Sequence, residues 1–153
     1  MAWLTSGALW LHVIAGSWWV LASVTMAVAG GVVNADSTEG REFVERVVPG
    51  LNLSNALAAA LMVASGVVNL YGAGVRRRFD FPAAFTRVLA VKLGLYALMV
   101  AALLASWRIG RGMREDNRNG SLRSATARLA VLSAFIALAG AAAMLLGVWL
   151  AGE

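Results

Sequence analysis

Of the 153 residues, 60% are hydrophobic and only 14% charged, whereas a soluble domain carries about a quarter charged residues. The net charge of +5 comes from thirteen Lys and Arg that lie almost wholly between long apolar blocks; this is the flanking pattern of membrane spans and argues against a nucleic-acid surface. There is no cysteine, which excludes disulfides, thiolate metal sites, iron–sulfur clusters and covalently attached haem of the usual kind.

The N-terminal stretch lacks a basic n-region, and its uncharged apolar run is far longer than a signal-peptide core of about 7–15 residues. It is expected to be retained as the first span. A helix crossing a bilayer needs roughly 20 apolar residues, and four blocks qualify, at about 3–33, 48–73, 82–107 and 123–151. Lipid cannot satisfy an open backbone, and the strict alternation of a barrel strand is missing. The expectation is therefore an all-α fold: one integral membrane domain over 1–153, an antiparallel four-helix bundle with short links.

The first link, from Asn34 to Val47, is charged, with Phe43, Val44 and Val47 at helical spacing, and predicts a short interfacial helix. Pro49 then opens the second span, where a missing N–H costs little. The second link holds Arg76, Arg77 and Arg78; the third, 108–123, has turn-forming composition. Counting basic residues, Arg41, Arg46, Arg108, Arg111, Arg114, Arg118, Arg123 and Arg128 share one side, against Arg76, Arg77, Arg78 and Arg87 on the other. The larger set belongs inside, which puts both termini outside.

Ionisable groups within spans are rare and face the bundle interior. This chain has two, His12 about nine residues into span one and Lys92 about ten residues into span three. Both spans start on the same side, so each group lies about 13–15 Å below its helix start, in one layer. Gly66 and Asn69 of span two and Met144 of span four fall near that layer. Helical stripes agree: His12, Gly16, Trp19 and Ser23; Asn55, Ala59, Met62, Gly66 and Asn69; Lys92, Tyr96 and Met99. Blander readings stand beside this. His12 can bond a neighbouring Ser or carbonyl, Lys92 can snorkel to the interface, and the Asn stripe can be interhelical glue. Ala139, Ala143 and Gly147 read as a packing seam, and Trp3, Trp10, Trp107 and Trp149 as interfacial belts, with Trp18 and Trp19 too deep for that role.

The chemistry that would use this layer is haem b. An axial imidazole one turn before Gly16 gives a flat macrocycle room to approach, Trp19 can cover the ring face, and Arg76, Arg77, Arg78 and Arg87 can meet propionates. A second axial ligand would be Met144 or His12 of the partner subunit. Copper fits less well, since one His with scattered Met makes no cluster.

Leu11-His12-Val13 followed by Trp19, with a single lysine in Arg87-Val88-Leu89-Ala90-Val91-Lys92-Leu93, resembles the copper-resistance D-type membrane domain and the four-helix, haem-containing protoporphyrinogen oxidases of bacteria. That resemblance implies a bacterial inner-membrane protein in which His12 ligates haem and Lys92 lies near the porphyrin or its propionates. Here residues 20–33 are apolar and uncharged, where those oxidases carry a further histidine and an arginine-bearing segment. The leading expectation is a haem b membrane protein with an electron-transfer or porphyrin-type redox role. The alternative is a non-catalytic anchor or accessory subunit of a larger membrane complex; as partners, the lipid bilayer and either a second copy of the chain or the other subunits of a membrane complex are expected. Solute or metal permeation ranks lower, because no charged path continues through the inner half.

Overall fold

A computed structural model describes residues 2–33, 37–115 and 122–152, with side chains described for 6–33, 37–113 and 123–149. The order is α1 (Ala2–Val32), α2 (Thr38–Glu42), a π-helical turn (Phe43–Val47), α3 (Val48–Arg76), α4 (Ala83–Glu115) and α5 (Leu122–Gly152). Four continuous helical stretches are long and apolar enough to cross a membrane.

The expected interfacial helix turns out to be the start of span two, since helix runs unbroken from Thr38 to Arg76. Ser37 caps it by accepting from the Gly40 N–H at 3.1 Å. Pro49 explains the π turn. Proline has no N–H to give, and its ring crowds the carbonyl four residues back; widening the preceding turn, with the Val48 N–H bonded to the Phe43 carbonyl, accommodates both. The wider turn aims Phe43 and Val44 inward, where they are buried with Met26, Val48, Met113 and Leu129. The third link also differs from expectation: α4 continues through Arg108 to Glu115. Gly110 lies against Val48 and Asn52, so this end of α4 is held by packing after the polar residues begin.

Each helix turns inward a stripe of buried or part-buried positions spaced alternately three and four apart: His12, Gly16, Trp19, Ser23, Met26 and Gly30 on α1; Asn52, Asn55, Ala59, Met62, Gly66 and Asn69 on α3. Lys92, Tyr96, Met99, Leu103, Ser106 and Gly110 form the stripe on α4, and Thr126, Leu129, Ser133, Ile136, Gly140, Ala143 and Gly147 on α5. A period of 3.5 residues keeps a seam facing its neighbour along the whole helix. The outward faces are just as apolar, with Trp10, Ile14, Leu21, Val28, Leu138 and Leu145 exposed. Helices that are apolar all round belong in hydrocarbon.

All neighbouring pairs run antiparallel. On α1, Gly16 meets Met62 of α3 and Met144 of α5, while Gly30, farther along, meets Thr126 and Ala130. On α4, Lys92 meets Gly147 and Met99 meets Gly140. α1 packs between α3 and α5, and α4 packs on α5; the α3–α4 seam is the least extensive of the four. Across the diagonal, Trp19 and Tyr96 meet edge to face with centroids 5.6 Å apart.

Packing is uneven along the bundle axis. Beyond Met62 and Tyr96, toward the ends of α1 and α5 that carry the termini, inward residues are only part-buried; His12, Gly66, Asn69, Lys92 and Gly147 all share this. At the other end the inward positions of α1, α3, α4 and α5 are buried. At one end of the bundle the inward side chains are fully covered; in the layer at the other end, the vestibule layer, most are only part-buried.

Candidate functional site

His12 stands on the third turn of α1, facing α3. Its Nδ1 lies 3.0 Å from Ser65 Oγ. The serine hydroxyl has one hydrogen, which it gives to the Leu61 carbonyl at 2.6 Å, with the Met62 carbonyl at 3.4 Å as a weaker second acceptor. With that hydrogen on the Leu61 carbonyl, Ser65 Oγ is an acceptor for the ring, in the tautomer that protonates Nδ1 and leaves Nε2 a bare lone pair. Gly66 makes this approach possible: a Cβ there would stand 3.3 Å from His12 Cε1 and 3.6 Å from Nδ1. One turn farther out, Asn69 Nδ2 reaches the Ala8 carbonyl at 3.5 Å and ties the two helices together.

Lys92 comes from α4, diagonally across. Its Nζ lies over Gly147, 3.0 Å from where a Cβ would be, and it is near enough to His12 for the two groups to interact electrostatically. Among the described residues it has no ion-pair partner. Gly147, which reads from sequence as part of a packing seam, is in fact the surface on which this ammonium rests.

The floor of the vestibule is one turn deeper. The thioethers of Met62 and Met144 converge on Gly16, their nearest atoms 3.2 and 3.1 Å from its Cβ position. Below them Trp19, fully buried, packs edge to face on Tyr96. Tyr96 Oη donates to the Ala59 carbonyl at 2.8 Å, tying α4 to α3 across their thin seam. Met144 is thus in the predicted layer but a turn below His12. Trp18, one residue from Trp19, points the opposite way: it is exposed, and its indole N–H bonds Ser54.

The rim is basic. Arg76 and Arg78 are exposed between α3 and α4, and Arg77 stacks over Phe85 at 5.5 Å from the ring centroid. Arg78 and Phe79 both adopt left-handed backbone, with φ of 53° and 59°, a conformation bulky residues adopt only when held there. Phe79 is held by its ring, which covers Gly74 so closely that a Cβ would lie 2.5 Å away, and by its N–H bonded to the Gly74 carbonyl at 2.7 Å. Arg87 is also on the rim, but its Nε turns back to the Ala83 carbonyl of its own helix at 3.3 Å. The structure does not bring it beside His12.

His12, Gly16, Gly66, Asn69, Lys92 and Met144 are therefore gathered at one end of the bundle, with Trp19 beneath them and Arg87 outside. Ser65 was not singled out from the sequence, although a serine flanking the inward stripe next to Gly66 is the signal that would find it. Trp107 was expected in an interfacial belt, yet its Nε1 is buried. Among the described residues no three His, Asp or Glu side chains form a metal-holding group, so this site offers a metal one imidazole and requires the remaining ligands to arrive with it. Compared with known proteins, the chain matches no family model, no curated protein and no solved structure.

Proposed function

We propose that the chain is a membrane-embedded haem b protein in which His12 Nε2 is the axial ligand and which serves in electron transfer or porphyrin-type redox chemistry. The observation that carries this reading is the bond between His12 Nδ1 and Ser65 Oγ at 3.0 Å. A ligating imidazole characteristically donates its other ring N–H, which fixes the tautomer and raises the basicity of the free nitrogen. The donor set fits the group: a porphyrin brings four nitrogens of its own, and one histidine suffices to hold it. Bound haem supplies one-electron redox chemistry. The chain's own residues hold and shield it: Ser65 orients the imidazole, Lys92 offers an ammonium to an anionic substituent such as a propionate, and Trp19 with Tyr96 keeps water from passing inward. Arg76 and Arg78 at the mouth give an anionic ligand a favourable approach.

In this reading the vestibule and both termini face the outside of a bacterial inner membrane, because the more numerous arginines lie at the opposite end of the bundle. A periplasm-activated reporter fused to the C-terminus is expected to be active, and an inactive one reverses the orientation. The cofactor test is the absorption spectrum of detergent-purified protein expressed with ample haem. We expect a reduced-minus-oxidised b-type α band, abolished in His12→Ala with the variant still folded. A colourless wild-type protein refutes haem binding and leaves the accessory-subunit reading, for which co-purification with larger membrane subunits is the signature.

A further inference from the structure

Below the vestibule floor lies a second polar layer that the site above does not use. Ser23 on α1, Asn55 on α3, Ser106 on α4 and Ser133 on α5 occupy inward positions and are 0, 3, 2 and 4% exposed. The antiparallel registers set their depths. Gly16 faces Met62, so two turns on Ser23 comes opposite Asn55. Met99 faces Gly140, so two turns on Ser106 comes opposite Ser133. Gly110 meets Asn52, which sets Trp107 at the depth of Asn55.

Four buried atoms of this region have no partner among the described residues: Trp19 Nε1, Ser23 Oγ, Asn55 Oδ1 and Trp107 Nε1. They are chemically complementary, with two indole donors, one amide acceptor and a hydroxyl that serves as either. Left dry in a hydrocarbon-embedded core, each would be strongly unfavourable. Three of the layer's four inward residues are serines, small side chains set between turns filled by Met26, Met99, Leu129 and Ile136. We propose that this layer is a closed hydration site, in which internal water bridges Ser23, Asn55 and the indoles of Trp19 and Trp107. A buried water needs two to four polar partners, and here three helices supply them. The proposal is independent of haem binding.

Radiolytic labelling of the full-length protein after rapid mixing into ¹⁸O-water tests it, since radicals formed from a bound water modify the side chains that hold it. Trp19 is expected to be oxidised despite being fully buried, taking up ¹⁸O more slowly than exposed Trp10, with Trp18 resolved from Trp19 by fragment-ion sequencing. Asn55→Leu is expected to lower Trp19 labelling several-fold, with Trp10 unchanged, and to lower Tm, because the other polar groups lose their bridge. Ser23→Ala serves the same purpose where Asn55→Leu does not fold. An unmodified Trp19 beside a modified Trp10 overturns the proposal. So does Trp19 labelling that both variants leave unchanged, or a higher Tm in Asn55→Leu, the result expected for a dry layer relieved of a polar atom.

Discussion

Ser65→Ala removes a single oxygen and tests the geometry of the site. In the native bundle that oxygen accepts from His12 Nδ1 at 3.0 Å and donates to the Leu61 carbonyl. The carbonyl keeps its helical hydrogen bond in the variant, so its loss is small. The ring N–H is left without its acceptor in a part-buried, membrane-depth position, which costs about 1–3 kcal/mol. The nearby backbone of Met62 offers partial compensation, so a loss of about 1–2 kcal/mol is expected. For a chain of this size that corresponds to a fall of about 2–8 °C in Tm. A double-mutant cycle with His12→Leu isolates the bond: if the ring is what Ser65 serves, the coupling is about 1 kcal/mol, and Ser65→Ala is nearly silent when His12 is already gone. Unfolding in mixed detergent, followed by tryptophan fluorescence, measures all four corners. In haem-loaded protein the same variant is expected to shift the midpoint potential, because the imidazole loses its orienting partner. Additive effects of the two substitutions would refute the tautomer argument, and with it the free Nε2 on which the proposed ligation depends.

The remaining predictions probe the packing that creates the vestibule and its floor. Gly66→Val inserts a branched side chain where the His12 ring lies, 3.3 Å from the Cβ position; it is expected to cost about 1–3 kcal/mol and to abolish the haem spectrum, and an unchanged spectrum would show that the ring does not need α3. Gly140→Val meets Val20 Cγ2, only 2.7 Å from the new Cβ, and is expected to destabilise by about 1–3 kcal/mol, with Val20→Ala recovering most of the loss in thermal unfolding. Tyr96→Phe keeps the edge contact with Trp19 but loses the bond to the Ala59 carbonyl; unfolding in mixed detergent should register about 1 kcal/mol, and no change would mean the α3–α4 seam is held by packing alone.

Much of the architecture is carried by local chemistry. Long apolar runs must be helical in lipid whatever surrounds them, so four helices long and apolar enough to cross a membrane follow from residue type, the third despite Arg87 and Lys92 within it. Basic links and Pro49 mark where they begin and end. The stripe containing His12, Gly16, Trp19 and Ser23 is legible because polar and small residues recur on one face of an otherwise apolar helix. Helix ends are less legible in the residues. The residues around Arg108 were expected to form a turn, and those around Phe43 a separate helix, because a charge run shows where lipid stops and does not show where helix stops.

The sequence by itself determined a helical chain with four segments long and apolar enough to cross a membrane, two of them carrying an imidazole and an ammonium at similar distances from their starts, since hydrophobic length and helical period are properties of single segments. Only the tertiary structure decided that Ser65 hydrogen-bonds the His12 ring, that Lys92 rests on Gly147, that Arg87 turns away, and that the inward side chains are part-buried at one end of the bundle and buried at the other. Those outcomes depend on which residues from different helices share a depth and a facing direction, and no single helix contains that information.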